Sequence, residues 1–161
     1  MNAGSFRYLF GYHFAENRKI WDGVSTLTPE QFSQPVDYSH GSVRDQLIHL
    51  IDVEDIWISE LRNGQTSDLP TASDDWAAIR LYWDTVEQHT RDYLDYLQDA
   101  DLFTKPITEP EDDRDLMVWQ VLLHVINHST DHRAQLLRAL HDLGVDTKSQ
   151  DFIFYVYDHP A

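Results

Sequence analysis

A chain of 161 residues, 42% hydrophobic and 12% aromatic, has the length and the apolar content for one domain with a core of its own. It contains no cysteine, which excludes a disulfide scaffold, a thiolate metal site and a protein thiol nucleophile. Twenty-eight acidic side chains against twelve basic ones give a formal charge of -16; such a surface repels phosphate backbones and anionic lipid headgroups but favours a bound cation.

No segment approaches the ~20 apolar residues of a membrane span. Residues 1–10 lack the basic-then-apolar order of a secretory leader. The expectation is a cytoplasmic protein with no membrane or nucleic-acid partner.

The first predicted helix covers residues 5–27, where Phe6, Leu9, Phe10, Phe14, Ile20, Trp21, Val24 and Leu27 recur at helical spacing. Thr28-Pro29-Glu30-Gln31 reads as the cap of a short helix, with Pro in the first turn and Gln three residues after Thr. Residues 34–41, with Pro35 and Gly41, read as a loop. Ser42 then caps a second long helix that ends near Asn63-Gly64. Its apolar residues, Leu47, Ile48, Leu50, Ile51, Val53, Ile56, Trp57, Ile58 and Leu61, cover most of the circumference, so it should be packed on more than one side.

A polar linker over 65–72, with Pro70, leads to Ser73, which reads as the cap of a third helix with Asp74 and Asp75 in its first turn. That helix continues through Trp76, Ile79, Tyr82, Trp83, Val86, Tyr93 and Leu97. Residues 99–114, with Pro106, Pro110 and an acidic run at 109–113, read as a long loop with room for a short hairpin. A fourth helix is expected over 115–143, stopped by Gly144. The tail at 152–157 is too apolar to be left in water and should pack on the bundle or on a partner. Four long helices without convincing strands predict an all-α, four-helix bundle as a single domain over 1–161.

The chemistry concentrates in the last long helix. Its flanks are strongly apolar, yet eight of the nine residues at 127–135 are polar. A polar insert midway along a core helix costs desolvation unless its groups are paired or bind something. His128 and His132 are one turn apart on one face, a spacing that lets two imidazoles converge on one ion. His124 extends the same row, so His124 with His128 is an alternative pair. His49, among Leu47, Ile48, Leu50 and Ile51 on another helix, is the best candidate for a third ligand. Three neutral imidazoles with open positions suit a catalytic Zn, Ni, Fe or Mn site better than a closed structural one.

The order of these features resembles the DinB/YfiT-like family of four-helix-bundle metalloproteins. The resemblance rests on residues 41–50 with Glu54 and Trp57, and on Trp119 with residues 124–135. Tyr12, Asn17, the run at 27–30 and the run at 151–155 extend it over nearly the whole chain. It implies an up-down-down-up bundle, often dimeric, with His49, His128 and His132 as metal ligands and His124 outside them. Ala134 stands where Gly is frequent in that family. Several such proteins are thiol-dependent transferases or isomerases, so a low-molecular-weight thiol is an implied cosubstrate; metal-water hydrolysis and a non-catalytic metal-binding stress-response role are the other expectations.

Around the ligands, Asp52, three residues after His49, is a candidate to accept an imidazole N–H, and Arg133 a candidate to hold an anionic group of a small-molecule substrate. Tyr12, His13 and Asn127 are candidate lining of the same cavity. His40, His89, His141 and His159 read as surface residues. No residue stands out as a separate catalytic base.

Overall fold

The structure is a computed structural model, described here over residues 1–38, 40–67 and 76–160. Its helices are α1 (Ala3–Val24), α2 (Pro29–Ser33), α3 (Val43–Leu61), α4 (Trp76–Tyr96), α5 (Val118–Asp142) and α6 (Phe152–Asp158), with one 3-10 turn at Asp101–Phe103. Among the described residues there is no strand, and none of the helices is long and apolar enough to cross a membrane. The expected third-helix cap at Ser73, with Asp74 and Asp75, lies outside the described residues.

The caps follow from the sequence. Thr28 and Gln31 close a capping box on α2, and Ser42 with Asp45 closes one on α3. The first helix starts earlier than its apolar spacing suggests, because Asn2 and Ser5 form a capping box there too. The last long helix starts later: residues 111–115 form turns, and Gln120 Oε1 accepts from the Met117 backbone N–H to fix the start at Val118. The loop before it holds the 3-10 turn rather than a hairpin.

Two apolar clusters fix the chain direction of every long helix. One joins Phe6, Phe10 and Phe14 of α1 to Ile58 and Leu61 of α3, Leu94 of α4, and Val118, Val121, Leu122 and Val125 of α5. The other joins Ile20, Trp21 and Val24 to Val43, Leu47, Leu50 and Ile51, to Ile79, Trp83 and Val86, and to Leu136, Ala139 and Leu140. The starts of α1 and α5 therefore meet the ends of α3 and α4, and the bundle runs up-down-down-up. α3 packs on α2, α4 and α5, which explains why it is apolar nearly all round.

Between the two clusters each of the four long helices contributes at least one polar residue. His13 and Asn17 of α1, Glu54 of α3, Thr90 of α4 and Arg133 of α5 are all buried. Arg133 Nη1 donates to His13 Nδ1 at 3.0 Å and to Asn17 Oδ1 at 3.1 Å. That leaves the ring proton of His13 on Nε2, facing Glu54 Oε2 at 2.9 Å. Thr90 Oγ1 donates to Glu54 Oε1 at 2.8 Å. Burial pushes the Glu54 carboxyl up, but His13, Thr90 and Arg133 outweigh it and hold the group below its ordinary range.

The apolar tail forms α6 and folds back on α1. Phe152 and Tyr155 meet the edges of Tyr8 and Tyr12, and Tyr12 Oη donates to the Gln150 carbonyl at 2.5 Å. Ile153, Phe154 and Tyr157 on its other side stay exposed.

Candidate metal centre

α3 and α5 are neighbours, and their facing sides bring His49, His128 and His132 together. His49 Nε2 lies 3.2 Å from His128 Nε2. The His132 ring centroid is 4.7 Å from that of His49 and 4.3 Å from that of His128. The spacing of one turn on α5 accounts for the second distance, and the α3–α5 contact accounts for the rest.

A fourth ring joins them. His40, in the loop before α3, stacks on His49 with centroids 3.8 Å apart and 20° between planes, and lies 5.2 Å from His132. One ring nitrogen from each of His40, His49 and His132 falls within 4.8 Å of the others. His40 is exposed, as a surface residue should be, but the surface it occupies is the mouth of this cluster. A loop histidine has no periodicity from which its place beside the other rings could be read. What brings it in is the turn at Gly41, whose φ of 89° favours glycine.

These rings fit a divalent transition metal. Nitrogens bonded to one ion at ~2.0–2.1 Å stand about 3.3 Å apart in a tetrahedron, close to the 3.2 Å between His49 and His128. The three helix-borne rings are also held neutral. Burial, then the neighbouring His40 and His132, push His49 down to about 4. Burial, then His132, His49 and His124, push His128 down to about 4. Burial and His40 lower His132 as well, against the pull of Asp131. A neutral imidazole keeps the lone pair a metal needs.

Gln46, one turn before His49, is a further member that sequence reasoning missed. Its Nε2 lies 2.7 Å from His132 Nδ1 and 3.2 Å from Gln135 Oε1, while its Oε1 accepts from the His40 backbone N–H at 3.2 Å. One amide thus connects the loop, α3 and α5. Its position three residues before a candidate ligand was the available signal.

The remaining candidates fall elsewhere. His124 is exposed, 5.7 Å from the His128 ring and edge-on to Trp57. Asn127 is exposed. Among the described residues no hydrogen bond joins Asp52 to His49; burial and then Asp55 raise its carboxyl, which faces α4 through Tyr82. His13 and Arg133 belong to the interior polar layer, and Tyr12 anchors the tail. Arg133 and Gln150 also line a recess of about 460 Å³ between α1, α5 and the segment after α5, which takes in none of the four clustered histidines.

Comparison with known proteins agrees with this architecture. The chain is 22% identical over 158 residues to Protein DinB of Bacillus subtilis (strain 168), covering 92% of each sequence. It superposes on the crystal structure of a conserved protein from Enterococcus faecalis with a TM-score of 0.64, at 16% identity, over 84% of this chain and 92% of that one; at that identity the likeness is one of fold. The profile of the DinB family matches residues 1–159, nearly the whole chain, and the protein therefore belongs to the DinB family.

Proposed function

We propose that the protein is a divalent-metal-dependent enzyme acting on a small molecule, with His49, His128 and His132 holding the ion. The observation that carries this reading is the convergence of imidazoles from two helices, with His49 and His128 already at the separation of two ligands of one ion. A bound metal at such a site supplies Lewis acidity and lowers the pKa of a bound water or thiol. The chain's own part is to hold the three rings neutral, to fix His132 through Gln46, and to leave the cluster open to solvent on the His40 side. Because the chain has no cysteine, a sulfur nucleophile would arrive with a low-molecular-weight thiol cosubstrate; transfer or isomerisation with such a thiol and metal-water hydrolysis are the two reaction classes the site accommodates.

A second reading, a non-catalytic metal-binding protein of a stress response, is favoured by one observation: His40 covers the open side of the cluster. The same proposal places the protein in the cytoplasm as a homodimer, with the exposed Ile153, Phe154 and Tyr157 of α6 as the surface a second copy would cover.

The test is elemental analysis of the purified protein beside His49→Ala, His128→Ala and His132→Ala. We expect about one zinc, nickel, iron or manganese per chain in the wild type and near-complete loss in each variant, with helical circular dichroism retained in at least two. A wild type that takes up none of these metals ends the proposal. Turnover screens of the loaded protein with thiol cosubstrates, and with simple esters and amides, separate the catalytic reading from the non-catalytic one.

A further inference from the structure

His40 differs from the other three clustered rings in what carries it. His49, His128 and His132 sit on helices; His40 sits on the loop that ends where Ser42 caps α3. That loop is tied down. The Val36 N–H donates to the Gly41 carbonyl at 2.8 Å, and the His40 N–H donates to Gln46 Oε1. Its imidazole lies over His49, and among the described residues neither of its ring nitrogens has a hydrogen-bond partner. An exposed imidazole could turn to water; this one instead stands with a donor atom within 4.8 Å of those of His49 and His132.

We infer that His40 is a fourth, displaceable protein ligand of the ion, a deepening that rests on the metal-binding reading above. The His40 donor lies within 4.8 Å of those of His49 and His132, and His128 Nε2 stands 3.2 Å from His49 Nε2, so the four imidazoles together would make a closed nitrogen shell, as structural metal sites are closed. An external ligand, whether water, a thiol or a substrate oxygen, then enters by replacing the loop ligand, because the helix-borne rings are fixed by the core beneath them. Regulation of access thus resides in His40 rather than in the helices.

The experiment uses cobalt(II) as the probe in the full-length protein, with azide as the external ligand. Wild type, His40→Ala and His40→Asn are loaded, checked for helical circular dichroism, and titrated with azide while the visible absorption of cobalt is followed. We expect the two variants to bind cobalt about tenfold more weakly and to take up azide at least tenfold more tightly than the wild type. Their spectra before azide should differ from that of the wild type, because water replaces an imidazole. Matching spectra and matching azide affinities in all three proteins overturn the role of His40 while leaving the three-histidine site intact. Failure of the wild type itself to bind cobalt removes the metal reading, and this inference with it; the two failures are distinguishable.

Discussion

Gln46 ties the histidine cluster together from outside it. Its amide lies 2.7 Å from His132 Nδ1, which orients that ring, and it also holds the backbone of His40. Partners of this kind around a ligating histidine are worth about 10–100-fold in metal affinity. We expect Gln46→Ala to weaken zinc binding about tenfold in a competition titration against a chromophoric chelator, with the fold unchanged; equal affinity would show that His132 needs no such support. The same rings predict a pH dependence. The folded protein holds His49 and His128 down at about 4, first through burial, whereas an unfolded imidazole titrates near ~6.5. Between those values the unfolded chain binds protons the folded rings refuse, so unfolding becomes easier as pH falls from about 6.5 through 4 and is insensitive to these groups above that window. Melting curves of metal-free protein at pH 7 and pH 4.5 should show a larger drop for wild type than for His128→Asn. The acidic surface taken alone suggests the opposite, histidines that protonate readily; burial and mutual repulsion override it, so proton competition with a metal should set in below the usual imidazole range.

At the scale of the element, α5 explains both what was legible in the sequence and what was not. The polar insert at 127–135 was visible as an anomaly in an apolar helix, but its two destinations were not. His128 and His132 turn toward α3 and the histidine cluster, while Arg133 turns inward to His13, Asn17 and Thr130. Helical spacing tells which residues share a face, not which face meets which neighbour. For the same reason the caps at Thr28 and Ser42 could be read locally, whereas the placement of His40 depends on packing between a loop and two helices. The inward layer yields its own prediction. Glu54→Ala would leave the Thr90 hydroxyl only the Val86 carbonyl and remove the carboxylate that faces His13 in the same layer as the buried Arg133 guanidinium. Removing one member of a buried charged set costs about 3–5 kcal/mol. Urea denaturation should show a loss of that order, while the metal content of the folded fraction stays at the wild-type level. A variant as stable as wild type would mean that the layer is not a structural tie between the four helices.

For the whole molecule the dominant fact is charge. A formal -16 on one small bundle means that the acidic groups far exceed the basic ones that could pair with them. The ion pairs that do form are largely exposed and local, such as Arg138 with Asp142 and Arg80 with Asp84, each within one helical turn. Exposed pairs of this kind contribute about 0–1 kcal/mol each, and salt weakens them. Salt also screens the long-range repulsion, with a Debye length of ~10 Å at 0.1 M. The two effects oppose each other, and their balance decides the sign. The acids outnumber the basic residues by more than two to one, so repulsion is the larger quantity and its screening should prevail. The melting temperature of the metal-free protein should therefore rise as sodium chloride is increased from 10 mM to 300 mM at pH 7.5. A fall over that range would mean that the local pairs, rather than the self-repulsion of the surface, govern the electrostatics of the fold.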